Sequence, residues 1–473
     1  MRQTSIFDAL PKYKINKPIR LIELFAGYGS QALALKYLGV PFEHWKIAEW
    51  AVKSIQAYKD LHMPDDNTDY SAPLRAEEVY AYLLDRGISA DYSHPMTHEQ
   101  IRRLGESKAR QIYNNIQATH NLVSVVSTRG GQLQITDVDK YCYVLTYSFP
   151  CQDLSLAGKR AGMMKGGNTR SGLLWEVERI LKDLRELPQV LLMENVPEVA
   201  REPNRSAFLA WIDSLAEMGY RSYAKNLNAK DYGVPQNRNR CYMVSLRGGE
   251  GEYTFPQPKP LETPLKAVLE PQVGEKYYLS PEVTLHMLEH RLRQEAKGNT
   301  FGIKPLVLDD RGGQYAKTIT CGQYSATDTF IAEPVENAYC TKRERSGNMA
   351  EKEISGCKCI GLLSGGGYEK MHDISRRVYD TAGCAPTLHT CGGGKRNSKI
   401  AVTADNGILV NGKKCRIRIL TPRERFRLMG VKDEDFDKIA AHQSESSLNH
   451  LSGDSIVVDV LMAIFGEMIK NKE

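Results

Sequence analysis

Residues 20–30 read Arg20-Leu-Ile-Glu-Leu-Phe25-Ala-Gly27-Tyr-Gly29-Ser30. The apolar run Arg20–Phe25 has the length of a buried strand, and Ser30–Leu38 is an Ala/Leu-rich helical segment stopped by Gly39. Between them, Gly27 and Gly29 permit a tight turn in which the backbone can pass close to a ligand at the strand's carboxyl end. A glycine turn alone is weak evidence, because any tight turn needs glycine. The remaining apolar runs supply the context: Trp45–Glu49, Cys142–Ser148, Val190–Glu194 and Cys241–Leu246 read as further strands. Helical patterns lie among them, at Leu173–Leu181 and around Phe208, Trp211, Ile212 and Leu215. Such alternation over residues 19–246 predicts a doubly wound α/β sheet.

Two stretches interrupt the alternation. Residues 60–120 are polar and Tyr-rich, with helices expected over Ala76–Asp85 and His98–Asn114, and read as an insert. Residues 247–417 are richer in Gly, Thr and Pro and read as a second domain. Residues 418–473 then return to the first domain (1–246), through a capping box at Thr421-Pro-Arg-Glu424 and one apolar terminal helix over Ser455–Ile469. The segments Tyr315–Gln323 and Tyr379–Gly394 resemble each other, either as a repeated strand-turn unit or by chance in a Gly/Thr-rich region.

The 473 residues are 41% hydrophobic and 25% charged, which excludes a wholly disordered or fibrous chain. No apolar run reaches the ~18–20 residues of a membrane span, and the N-terminal Met1–Leu10 lacks the apolar core of a signal peptide. Ten unevenly spaced cysteines fit a reducing compartment, so a cytoplasmic, monomeric protein is expected. The net charge of +6 says little about partners. The run 411–432, with Lys413, Lys414, Arg416, Arg418, Arg423, Arg425, Arg427 and Lys432, is either an ordinary solvated face or a patch facing phosphates.

The strand ends carry chemistry. Glu49-Trp50 places an acid where nucleoside-binding α/β folds hold ribose hydroxyls, beside an indole that can stack on a purine. Cys151, directly after Phe149-Pro150, is set toward a cleft where backbone amides can support a thiolate. Glu194, followed by Asn195-Val-Pro197, can act as a general acid if burial raises its pKa. Arg238 and Arg240 occupy alternate positions of an extended segment and can clamp a carbonyl oxygen or an anion.

In chain order, FAGYG, EW, PCQ, ENV and QNRNR, then RILTPRE and GDSIVV, resemble the DNA cytosine-5 methyltransferase family of bacteria and phages. The resemblance covers residues 19–59, 141–246 and 376–473. It implies a Rossmann-like S-adenosylmethionine-dependent methyltransferase sheet with an inserted target-recognition domain, acting on duplex DNA. It also implies roles for single residues. Phe25, Gly27 and Gly29 would shape the cofactor pocket, Glu49 would hold the ribose, and Trp50 would pack on the adenine. Leu173 would touch the cofactor, and Gly453-Asp454-Ser-Ile456 would close its methionine end. Cys151 would be the nucleophile, with Glu194, Arg238 and Arg240 stabilising charge on the cytosine ring.

Thr387-Leu388 matches a dipeptide of the family's recognition domain. With Arg377 and Gly392, Gly393 and Gly394 it is expected at DNA. Two departures stand out. Asp454 occupies a position where the family most often has Asn. The family's adenine-binding Asp is absent, and Asn121 or Ser124 could take its place. No metal is called for, and Cys357-Lys-Cys359 alone reads as incidental. Methylation of transfer RNA and a catalytically inactive DNA-binding relic remain the alternatives, and a partner restriction endonuclease is left open.

Overall fold

The computed structural model describes residues 12–150, 154, 162–165, 170–248, 251–280, 283–284, 306–307, 315–321, 329–334, 353–354, 357–362, 377–379, 399–400, 408–410 and 413–469. Two compact units divide the chain. The first is Met1–Glu270, Asp310–Asp328 and Thr421–Glu473; the second is Pro271–Asp309 and Thr329–Leu420.

The first unit is built on β1 (Ile19–Leu24), β2 (Phe42–Ala48), β3 (Cys142–Tyr147), β4 (Val190–Asn195), β5 (Tyr220–Asn228) and, after the two-residue β6 (Gln236–Asn237), β7 (Asn239–Arg247). Six of these form one sheet in the order β2-β1-β3-β4-β7-β5. The strands β2, β1, β3 and β4 pair in parallel, whereas β7 runs antiparallel to both β4 and β5. The sheet is therefore α/β and mostly parallel, as expected. β3 and β4 are buried at every position, which explains why they read as unbroken apolar runs. β5 has no apolar alternation, because most of this outer strand is exposed or half-buried, and the sequence reading passed over it.

Helices connect the strands: α1 (Ser30–Tyr37), α2 (Val52–His62), α3 (Ala76–Arg86), α4 (His98–Arg103), α5 (Glu106–Ala118), α6 (Leu174–Lys182) and α7 (Arg205–Glu217). The core between sheet and helices centres on Leu145, Tyr147, Leu191, Met193 and Trp211, and Trp211 donates its indole N–H to the Tyr147 hydroxyl at 3.0 Å. The helix expected over His98–Asn114 is broken in two, and the terminal helix expected from Ser455 begins only at Val458. Gly105, at φ 76°, separates α4 from α5 within His98–Asn114. The terminal segment forms Glu445–Asp454 and Val458–Met468, with an extended break at Ser455–Val457. Helices α3 to α5 form the insert, whose own core includes Val79, Leu83, Ile101, Ile112 and Ile116. Among the described residues no helix is long and apolar enough to cross a membrane.

In the second unit, Ile408–Val410, Lys413–Ile419, Phe330–Pro334 and Leu306–Val307 pair in that order. A second sheet orders Glu353–Ile354, Cys357–Leu362, Arg377–Tyr379 and Lys399–Ile400.

The basic run 411–432 is not a free phosphate-facing patch at its arginines. In the second unit Arg416 pairs with Glu275 and stacks over Tyr278, and fully buried Arg418 pairs with Glu333 at 2.5 Å. In the first unit Arg423 pairs with Asp437 and Arg427 with Asp433, each at 2.6 Å. The anticipated capping box is present: Thr421 Oγ1 accepts the Glu424 N–H at 3.2 Å, and Glu424 accepts the Thr421 N–H at 2.9 Å.

Glu333 also accepts the Tyr278 hydroxyl at 2.6 Å, so one carboxylate holds both groups. Glu333→Ala is expected to destabilise the second unit by about 3 kcal/mol, because it removes the carboxylate that the buried Arg418 guanidinium pairs with. Urea unfolding followed by a probe in that unit measures this, and a loss below about 1 kcal/mol would show the pair to be dispensable.

Candidate active site

The parallel strands end on one edge of the sheet, and the residues singled out by sequence lie there. After β1 the chain turns through three alternate positions of positive φ: Phe25 at 59°, Gly27 at 56° and Gly29 at 84°. Space as well as conformation requires glycine at 29, since a Cβ there would sit 2.4 Å from His62 Nε2. The Gly27 N–H donates to Glu49 Oε2 at 2.9 Å and the Ala51 N–H to Oε1 at 2.8 Å, so the acid at the end of β2 organises the β1 turn. Burial pushes the Glu49 carboxyl up to about 7, and the charge of Asp454 adds to that rise. A second buried acid, Glu23 on β1, is raised to about 7 by burial although it accepts the Tyr58 hydroxyl at 2.6 Å.

Asn121 resolves one of the open choices. Its amide oxygen accepts the N–H groups of Glu49 at 3.0 Å and Val123 at 2.8 Å, while its amide nitrogen donates to the Glu49 carbonyl at 2.9 Å. The side chain is thus committed to the backbone of Glu49. The loop around it holds His120 at φ 49° and Val123 at φ 67°. A β-branched residue in the left-handed region is strained, and that strain lies beside the glycine turn. Trp50 is half-buried and packs against the insert core. Leu173 is half-buried at the start of α6.

At the ends of β3 and β4 a second group assembles. Glu194 is buried and accepts the Ser148 hydroxyl at 2.5 Å, and Arg240 Nε lies 3.3 Å from its other oxygen. The reversal of β7 creates this pair, because its first residues run alongside the last residues of β4 (Asn195 opposite Cys241). Asn195 donates to the Phe149 carbonyl at 2.9 Å, and the Ser171 hydroxyl donates to the Pro150 carbonyl at 2.8 Å. The turn leading to position 151 is therefore fixed from two sides. Cys151 itself lies outside the described residues, as do Thr387, Leu388, Gly392, Gly393 and Gly394. The backbone of Arg377 starts a strand of the second unit. Cys241, whose thiol is buried and pushed up to about 12, is no nucleophile.

Arg238 and Arg240 do different jobs. The Arg238 side chain is buried and donates to the carbonyls of Ile319 at 2.8 Å, Gly453 at 3.0 Å and Ser455 at 2.7 Å. It holds backbone, while Arg240 faces Glu194. The terminal segment returns as anticipated: the Ile456 N–H reaches Ser30 Oγ at 3.4 Å, at the first residue of α1.

The sequence reading gave no role to Ser148 or Ser171 and placed Arg425 only in the basic run, not on the carbonyls of Thr320 and Asn449. It also missed a cluster of Cys321, His450 and Asp454, in which Asp454 Oδ1 accepts from Cys321 Sγ at 2.8 Å and Oδ2 lies 2.9 Å from His450 Nε2. Only the i, i+4 spacing of His450 and Asp454 could have hinted at it.

A family model described as C-5 cytosine-specific DNA methylase matches residues 102–470. The type II methyltransferase M2.ScrFI of Lactococcus lactis subsp. cremoris is 29% identical over 96% of this chain and 100% of its own length. The orphan methyltransferase M.SssI of Spiroplasma monobiae is 34% identical over 58% of this chain and 71% of its own. Among solved structures, the Dnmt2 methyltransferase of S. pombe shares the fold, with a TM-score of 0.52 at 13% identity, covering 94% of this chain and 97% of its own.

The raised carboxyls give the ligand-free protein a definite pH dependence. A group whose pKa is higher in the folded state contributes stability that is complete below its unfolded value and lost as pH rises through the folded value. For Glu49 that window runs from about 4.5 to about 7. Glu49→Gln is expected to remove on the order of 3 kcal/mol of the stability difference between pH 5 and pH 8, with Glu23 retaining a similar share. Urea midpoints at the two pH values measure it, and an unchanged slope in the variant would refute the assignment.

Proposed function

The chain belongs to the C-5 cytosine-specific DNA methylase family and is a DNA methyltransferase, and from that premise we propose that it methylates carbon 5 of a cytosine swung out of duplex DNA, through a transient bond to Cys151. The observation that carries this reading is the paired Glu194 and Arg240, set beside a pinned Phe149-Pro150 turn that runs directly into Cys151.

Carbon 5 of cytosine is a poor nucleophile. Addition of the Cys151 thiolate to carbon 6 breaks the aromaticity and makes carbon 5 enamine-like. Charge then moves toward ring nitrogen 3 and oxygen 2. Glu194 donates a proton or strong hydrogen bond to nitrogen 3, and Ser148 and Arg240 fix the orientation of its carboxyl group. Arg240 stabilises oxygen 2. Carbon 5 takes the methyl group; its proton then leaves to a base and the ring electrons expel Cys151 as thiolate. Arg238 acts at one remove, holding the segments that close the pocket.

The residues at the ends of β1 and β2 fit S-adenosylmethionine, the family's methyl donor. The glycine turn leaves the backbone bare, and a buried carboxyl stands at the end of the neighbouring strand, beside the point where the chain order reverses between β2, β1 and β3. When bound, this group supplies an electrophilic methyl on a sulfonium sulfur. Phe25, Gly27 and Gly29 would cradle it, Glu49 would accept its ribose hydroxyls, and Trp50 and Leu173 would flank its adenosine. The Asp454–Ile456 turn would close the methionine end.

Sequence reading is assigned to the second unit, with Arg377, Thr387, Leu388, Gly392, Gly393 and Gly394 near the DNA. A stacked base cannot reach the Cys151 turn, so the cytosine is extruded at a cost of about a few kcal/mol.

Four outcomes test this. Cys151→Ala should abolish methyl transfer while retaining duplex DNA binding, and a duplex carrying 5-fluorocytosine should trap a denaturation-resistant adduct, because carbon 5 then has no proton to lose. Normal turnover by Cys151→Ala, or preference for transfer RNA over duplex DNA in methyl-incorporation assays, would overturn the reading. Arg240→Ala should lower kcat by about 100- to 1,000-fold with little change in melting temperature, whereas Arg238→Ala should lower the melting temperature itself.

A further inference from the structure

We propose that Cys321, His450 and Asp454 form a binding site for a zinc-class divalent cation, with three protein ligands and a fourth position open to water. Thiol sulfur, imidazole Nε2 and carboxylate oxygens lie within 4.8 Å of one another. In a tetrahedral zinc site with bonds of about 2.0–2.3 Å, neighbouring donors stand about 3.5 Å apart. The contacts of 2.8 Å (sulfur to oxygen) and 2.9 Å (nitrogen to oxygen) need only a small opening to reach that spacing. The mixed S, N, O donor set suits zinc and cobalt(II) and is poor for magnesium or calcium, which take oxygen.

The backbone holds all three donors in place. His450 and Asp454 lie one turn apart on the helix Glu445–Asp454. Arg425, itself buried, donates to the carbonyls of Thr320 and Asn449, the residues immediately before Cys321 and His450. Arg238 donates to the carbonyl of Gly453, immediately before Asp454, and to that of Ile319. Thus each donor follows a carbonyl that a buried guanidinium fixes. Gly453 completes the approach: a Cβ there would lie 2.4 Å from the Cys321 nitrogen, so only glycine lets the two segments meet. The His450 ring is stacked on Tyr92 from the insert, with centroids 4.0 Å apart.

The Asp454 side chain is 50% exposed, so its carboxylate is reachable from solvent. His450 Nε2 is itself shielded from solvent and makes no hydrogen bond, although it lies 2.9 Å from Asp454 Oδ2. Binding converts the Cys321 thiol to a thiolate and releases one proton to solvent. Against Asp454 alone a thiolate would be repelled, and a cation between them removes that repulsion. The cluster is not the Cys357-Lys-Cys359 pair, and it has no short sequence motif: its three members are 129 and 4 positions apart (450 minus 321, 454 minus 450).

The test is titration of the full-length, chelator-treated protein with Co²⁺, followed by absorption spectroscopy. Wild type should bind one Co²⁺ per chain at this site, with a thiolate-to-cobalt charge-transfer band and the visible bands of four-coordinate cobalt. Cys321→Ser should lose the charge-transfer band and bind at least about 10-fold more weakly. His450→Gln should keep that band but weaken binding similarly, and Cys151→Ser and Cys359→Ser should leave the spectrum unchanged. Circular dichroism confirms that each variant is folded. Absence of Co²⁺ binding by wild type, or identical spectra and affinity for wild type and folded Cys321→Ser, would overturn the site. Because the readout is spectroscopic and survives loss of Cys151, it is independent of the catalytic reading.

Discussion

The buried guanidinium of Arg238 organises one end of the first unit. The planar fork of Arg238 reaches carbonyls at 319, 453 and 455, which belong to segments far apart in the chain. A charge removed from water must be solvated by something, and here backbone dipoles do it. The same bonds satisfy carbonyls at the end of the helix Glu445–Asp454, where helical partners run out. Arg425 repeats the device one step away, on the carbonyls of Thr320 and Asn449. The return of the C-terminal segment to α1 thus depends on polar contacts as well as on apolar packing.

The second constraint is topological. Were β7 parallel to β4, its first residues would lie at the opposite edge of the sheet, a strand's length from Glu194. The antiparallel register sets Asn195 opposite Cys241, and so delivers Arg240 to the edge where the parallel strands end. A break in the strand at Arg238 separates the two arginines: Arg240, inside β7, faces the acid, and Arg238, between β6 and β7, turns to the carbonyls. Two residues with the same chemistry and nearly the same position thereby acquire different roles. A sequence pattern that places them on the same face cannot make that distinction.

What the sequence made legible follows from burial. Central strands with both faces covered must be apolar throughout, so β1, β3 and β4 could be read almost to the residue. The glycine turn, Glu49, Glu194 and the capping box at Thr421 were legible because local backbone geometry demands particular residue types there. β5 was not, because its exposure removes the alternation. The break at Gly105 and the start of the last helix at Val458 rather than Ser455 were hidden by apolar neighbours, Leu104 and Ile456-Val457, that fit the helical pattern. The basic run at 411–432 misled in another way: a charge count cannot show that Asp433, Asp437, Glu275 and Glu333 wait opposite those arginines. Long-range partners of this kind, like the Cys321 cluster, exist only after folding.

The remaining feature is the strained backbone around the ends of β1 and β2. Phe25, Tyr92, His120 and Val123 all hold left-handed backbone without being glycine, at φ from 49° to 67°. Each such position costs on the order of 1 kcal/mol or more, and it persists only where neighbours over-determine it. Here the over-determination is visible. Asn121 ties the strained loop to the backbone of Glu49, and Glu49 in turn ties the strained β1 turn through Gly27. The carboxyl at the centre of this chain of contacts is held near neutrality by burial, so it is half-ionised close to physiological pH. A ligand that donates hydrogen bonds to Glu49 would favour the carboxylate and lower that pKa. Binding would then release a proton, tighten as pH rises through about 7, and relieve the unfavourable burial of the charge. A ligand of this kind offsets the desolvation of Glu49, a physical reason for the contacts of Gly27 and Asn121 to hold that residue in place beforehand.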